Sequence, residues 1–211
     1  MAAEVIEMCE TQEIKVQTKE WSNPTAAGLV ALAVACFCFF ALLNGYVDTP
    51  GARLLIGCWL MGGFVIQIVV AFLDLKAGNH TGGNTFLFFS AFFMLSAGLG
   101  MFFQFYNGPL DVAVDGFVWV CLSLVLVLWA PAFFKTVGLL SMIVLCLAIA
   151  LPFLAIIDLG ILPASLSADL VVIPAFAMLA AAILAIYLSA AIVVNTAYGR
   201  KVYPLPEYKR K

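Results

Sequence analysis

Charge is what this sequence has least of. Of its 211 residues, 10 are Lys or Arg and 12 are Asp or Glu, while 65% are hydrophobic and the net charge is −2. A soluble domain carries roughly a quarter of its residues charged, so a water-exposed globular surface and a disordered chain are both excluded. Histidine is nearly absent too. His80 stands alone, which excludes a multi-histidine zinc, copper or haem site and leaves a Ser-His-Asp triad without partners; a loop position is expected for it. The cysteines are Cys9, Cys36, Cys38, Cys58, Cys121 and Cys146. Cys36 and Cys38 stand about 200° apart around a helix and cannot share a metal, so packing cysteines are expected and no metal or cofactor. The one basic cluster is the C-terminal tail, which gives no footprint for nucleic acid.

What the sequence has instead is long apolar runs. Six charge-free stretches extend from Trp21 to Val47, Leu54 to Leu73, Ala77 to Leu110, Gly116 to Phe134, Thr136 to Ile157 and Leu170 to Gly199. About 20 residues at 1.5 Å each cross a hydrocarbon core of roughly 30 Å, and an ionised group inside it is costly. The expected fold is therefore an all-α integral membrane protein with six transmembrane helices. Runs such as Val171 to Val194 do not alternate apolar with polar, which excludes a β-barrel. Turn residues agree with the division: Asp48 to Gly51, Tyr106 to Pro109, Pro131 with Lys135, and Asp158 to Ser167. The chain divides into an N-terminal arm, 1–22, a six-helix domain, 23–198, and a basic tail, 199–211.

With six spans both termini share a side. That side collects Lys15, Lys19, Lys76, Lys135, Arg200, Lys201, Lys209, Arg210 and Lys211, and the other has only Arg53. The positive-inside rule puts both termini in the cytoplasm. Met1 to Glu20 has five glutamates and no apolar stretch, so no cleavable signal peptide is expected.

No Asp, Glu, Lys or Arg lies deep in a span, which removes the usual marks of a proton relay or an ion-coupled pump and makes a membrane-embedded enzyme a poor reading. The neutral polar residues Gln67, Ser90, Ser96, Gln104, Ser123, Ser141, Tyr187, Ser189 and Asn195 either line a path for a small solute or hydrogen-bond one helix to another. Ala177, Ala181, Ala185 and Ser189 form an i, i+4 row, as do Ala27, Ala31 and Ala35, and such rows let helices approach closely. Asn23 and Pro24 are expected as N-cap and N1 of the first helix, where an anion could rest on free N–H groups. Gly78 to Thr85 holds too many Gly and Asn residues for a lipid-facing helix, and irregular backbone buried in protein or lining a water-filled cavity is expected there.

These residues resemble the signatures of the acetate uptake transporters, also called succinate-acetate permeases. The family's Asn-Pro-Ala-Pro-Leu-Gly-Leu is met by Asn23, Pro24, Gly28 and Leu29, while Thr25, Ala26 and Ala27 depart. An acidic residue, a basic residue and Gly-Asn after the second helix resemble Asp74, Lys76, Gly78 and Asn79, with Gln67 at an upstream glutamine. Without a gap, Thr-Ala-Phe falls on Asn84, Thr85 and Phe86, and Phe-Trp on Phe92 and Phe93. After the sixth helix the family pattern resembles Asn195, Tyr198, Gly199, Arg200, Leu205 and Pro206. The resemblance covers Asn23 to Pro206.

The resemblance implies a six-helix protomer with its own pore, assembled as a homo-hexamer in a plasma (inner) membrane, that conducts acetate and related small monocarboxylates, with succinate a further candidate. It places the pore constriction on Leu32, Phe89 and Leu145, and the polar groups near the solute at Asn23, Pro24, Gln67, Asn84 and Thr85. Many bacterial members carry a glutamate where this chain has Ile192, so passive conduction is expected, and Asp74 and Glu207 are expected at or beyond the membrane edge. A simple carboxylic acid is almost wholly anionic at neutral pH, and stripping water from that anion is expensive. The solute therefore either crosses as the neutral acid or meets polar groups on both sides of a short waist. The competing reading is a urea or amide channel, because such channels are also small six-helix hexamers with neutral pores.

Overall fold

Six helices long and apolar enough to cross a bilayer form the computed structural model, which describes residues 22–136 and 138–206. The arm 1–21, Lys209, Arg210, Lys211 and Glu207 lie outside the described residues. The helices are α1 (Thr25–Leu43), α2 (Pro50–Lys76), α3 (His80–Asn107), α4 (Ala113–Phe133), α5 (Gly138–Asp158) and α6 (Ala164–Tyr198). No strand occurs among the described residues. The helices extend past the charge-free stretches because Arg53, Asp74, Lys76 and Asp158 sit in terminal turns.

Local chemistry explains the ends. Thr49 caps α2, its Oγ1 accepting from Ala52 N at 3.1 Å with Pro50 at N1. Asn23 Oδ1 accepts from Thr25 N at 2.9 Å, a capping bond, although regular helix is assigned only from Thr25. In α6 the ladder is interrupted at Val171, because Pro174 has no N–H to give the carbonyl one turn back. The middle of α3, Phe89–Leu95, is wound as a π-helix.

The expectation of irregular backbone across Gly78 to Thr85 is corrected. Only Gly78, at φ +80°, and Asn79 lie outside the helix, and His80 is its exposed first residue rather than a loop residue. Asn79 Oδ1 accepts from Gly82 N at 3.0 Å and starts the helix. Gly83 is needed for packing: a Cβ there would meet Leu75 Cγ at 2.7 Å and Leu75 N at 2.9 Å, so the tight α2–α3 corner leaves it no room.

The packing runs round a ring. α1 lies against α2 and α6, α6 against α5, α5 against α4, and α2 against α3. The α1–α6 pair is the most extensive, and the alanine rows serve it: Ala31, Ala35, Ala181 and Ala185 are buried, and Ser189 Oγ donates to Ala26 O at 3.0 Å. Large aromatic rings bridge α3 to α4, Phe88 to Trp129 at 5.5 Å and Phe93 to Trp119 at 6.1 Å. Large apolar residues such as Trp59, Phe72, Phe117 and Leu128 face outward, as a bilayer requires.

Tyr187 and Asn195 neither line a path nor join helices. Gly199, at φ +60°, reverses the chain after α6, and Asn195 ties the returning segment down. Its Oδ1 accepts from Val202 N at 2.7 Å and Tyr203 N at 2.9 Å, and its Nδ2 donates to Tyr203 O at 2.9 Å. Tyr187 Oη donates to Pro204 O at 2.8 Å. Asn195→Ala removes three hydrogen bonds each worth about 0.5–1.5 kcal/mol, so tryptic cleavage at Arg200 and Lys201 is expected about tenfold faster, with helix content unchanged. An unchanged cleavage rate in detergent would show that other contacts hold the strap.

Candidate functional site

A cavity lies among α1, α2, α3 and α5, toward the end of the bundle where α1 begins. It leaves about 40 Å³ for the centres of water-sized molecules. One water needs about 10–15 Å³ on this measure, so three waters or a solute of a few heavy atoms can be held. Thr25, Leu29 and Leu32 line it from α1, Gln67 from α2, and Gly82, Thr85, Phe86 and Phe89 from α3. From α5 come Leu140, Ile143, Val144 and Leu147, an i, i+3, i+4, i+7 set on one helix face. Phe133, at the end of α4, closes that side, and Asn79 lies at the α2–α3 corner.

The structure brings Leu32, Gln67, Thr85 and Phe89 to this one cavity and leaves Asn23, Pro24, Asn84 and Leu145 outside its lining. Leu145 is a correction. It is 53% exposed on the outer face of α5, about 100° round the helix from Val144, which holds the inward position. Asn84 is likewise exposed, with Nδ2 donating to His80 O at 2.8 Å, while the adjacent Thr85 faces the cavity. Asn23 is exposed and spends its side chain on the start of α1.

The polar groups at this end form a connected set. Asp74 is only 2% exposed; it accepts from Thr25 Oγ1 at 3.2 and 3.4 Å and from Asn79 Nδ2 at 3.2 Å. It lies in the last turn of α2, buried beneath the start of α1 rather than open to solvent. Asp74 follows Gln67 by seven residues, two helical turns, so the two share a face of α2. That spacing is the signal that could have placed Asp74 with the site. Thr25 is read in the sequence only as a departure from the family signature, yet its hydroxyl ties α1 to α2. Gln67 is fully buried, and its Nε2 donates to Gly28 O at 3.2 Å. Thr85 Oγ1 donates to Thr81 O at 2.7 Å.

Beyond Phe89 the route toward the other end is filled by aromatic rings. Phe93, fully buried, packs on Phe89 at 5.6 Å, on Phe39 of α1 at 5.0 Å and on Trp119 of α4 at 6.1 Å. These rings and Leu32 make an apolar layer across the bundle. Geometrically, the arrangement is a small polar-tipped chamber closed on one side by a hydrophobic waist.

No protein-family model matches the chain, and no curated protein matches it. Among solved structures, the chain is similar to the bacterial acetate channel SatP, at 21% sequence identity and a TM-score of 0.77, over 88% of this chain and 99% of that one. Six membrane-length helices in this arrangement are therefore the fold of that channel.

Proposed function

We propose that this chain is an acetate uptake transporter that conducts acetate and related small monocarboxylates, with succinate at the upper limit of size, down their own gradients. The reading further holds that it is a homo-hexamer of the plasma (inner) membrane, each protomer with its own path and both termini cytoplasmic. The observation that carries the proposal is the small chamber between Gln67 and the Phe89 layer, set in a fold like that of an acetate channel. Its apolar wall suits a methyl or short alkyl group and its polar tip suits one carboxyl group. The urea or amide reading draws on the same neutral lining, but urea has no apolar end for Leu32, Val144 and Leu147 to cover.

The test is uptake of labelled acetate and urea by proteoliposomes, with protein-free liposomes subtracted. Protein-dependent acetate flux about tenfold above that of urea is expected, because the wall offers urea little compensation for its lost water. Under an imposed proton gradient, acetate accumulation should stop at the equilibrium set by the pH difference. Urea faster than acetate would move the assignment to the amide reading, and accumulation past that equilibrium would mean coupled transport.

A further inference from the structure

One buried side-chain atom of the chamber wall is uncommitted. Gln67 Oε1 has no hydrogen-bond partner among the described residues, although its residue is fully buried. The orientation of the amide is fixed by Gly28, whose carbonyl takes the Nε2 proton at 3.2 Å; turning the amide over would set two acceptors against each other. The other side-chain donor atoms here each have a partner, Thr25 and Asn79 with Asp74, and Thr85 with its own helix, and the amide nitrogens of Gln67 and Asn79 each keep one further N–H. Neither Lys nor Arg lines the chamber. Its unpartnered polar atom is therefore an acceptor, two helical turns from a buried carboxyl group.

An acceptor left dry in an apolar wall is costly, and a solute that donates to it recovers that cost. A carboxylate anion has nothing to donate and would face the lone pairs of Oε1. A neutral carboxylic acid has one O–H and an apolar remainder. Resting on the carboxylate reading of the site, we infer that the chamber takes its solute as the neutral acid, with the O–H donated to Gln67 Oε1, in preference to the anion. No charge then crosses the aromatic layer, which removes the dehydration penalty an anion would meet there.

The titratable groups on the helices that line the chamber include Asp74 and Lys76 in the last turn of α2, Cys36 and Cys38 on α1, Cys146 on α5 facing Cys36, and His80 at the exposed start of α3. The test must separate their titration from that of the solute. Acetamide does so, because it has acetic acid's shape, carries N–H donors and stays neutral throughout. Initial rates of labelled acetate and acetamide are measured with the full chain in proteoliposomes from pH 5 to 8 at constant total solute, with the liposome background subtracted. Protein-dependent acetate flux should fall about tenfold per pH unit above pH 6, following the neutral acid, while acetamide flux stays level. Gln67→Met, which keeps length and removes the amide acceptor, should lower both fluxes about tenfold.

Acetate flux level across this range overturns the inference, as does acetamide flux falling in parallel with acetate or a Gln67→Met variant at wild-type rates. Should that variant fail to assemble, the wild-type pH profiles decide alone. Acetamide flux without acetate flux at any pH sinks the acetate reading and leaves the acceptor inference standing; flux of neither overturns both.

Discussion

Phe89→Ala is expected to raise the flux of carboxylates longer than acetate about tenfold, whereas Leu145→Ala is expected to leave every flux at its wild-type value. Phe89 forms the chamber floor and stacks on Phe88 at 4.8 Å and on Phe93 at 5.6 Å. Removing its ring adds the ring's own volume to the chamber as far as Phe93 and lengthens the room for an alkyl chain. The ring is also packed on its outer side, so a cost at the lower end of the roughly 3–5 kcal/mol for truncating a buried aromatic is expected. Leu145 faces away from the chamber, and its loss touches no solute. The check is a panel of straight-chain monocarboxylates in proteoliposomes. Equal gains for the two variants, or none for Phe89→Ala, would show that the floor lies elsewhere.

A clear loss of stability is expected from Gly98→Leu. α2 and α3 meet backbone to backbone at Gly57 and Gly98: a Cβ on Gly98 would stand 3.1 Å from Gly57 O, and one on Gly57 3.0 Å from Gly98 O. A carbonyl in a helix cannot rotate out of the way, so a leucine there must part the two helices. Overpacking of this kind costs about 1–3 kcal/mol or more. Gly100, two residues on, has open space where its Cβ would be, so Gly100→Leu is the matched control. Thermal unfolding of the detergent-purified variants should show a clear drop for Gly98→Leu and little change for Gly100→Leu. Equal melting of the pair would mean that this close approach is not maintained.

The six helices are legible in the sequence because membrane crossing imposes a length and a charge rule that local composition obeys. The ends are less legible. Arg53, Asp74 and Asp158 look like breaks in a charge count, yet each sits in a terminal turn where it finds a partner: Asp48 for Arg53 at 2.6 Å, Thr25 and Asn79 for Asp74, and Trp119 Nε1 for Asp158 at 2.9 Å. Gly82, Gly83 and Asn84 read as helix breakers, but propensity yields to packing where a corner is tight. Of the cavity lining, Gln67 is legible through the family signature, and Leu32 and Phe89 through its ungapped alignment. Leu145 is not, because an inward position on a helix depends on rotation, and one residue of displacement turns the side chain by about 100°. The commitment of Asn195 to the tail is hidden from periodicity altogether, since its partners are backbone groups.

The π-wound stretch of α3, Phe89–Leu95, has a consequence for how such chains diverge. A π turn holds one residue more than an α turn, so the stretch behaves as an accommodated insertion. Deleting one residue from it would restore regular winding and leave Ser96–Asn107 in phase, with Gly98 still on its seat against Gly57 and Thr85 still at the chamber. The two halves of α3 are thus phased separately, one to the chamber and one to α2. A single-residue deletion falling in this stretch would spare both phases, so a gap between relatives in the third helix belongs between Phe89 and Leu95.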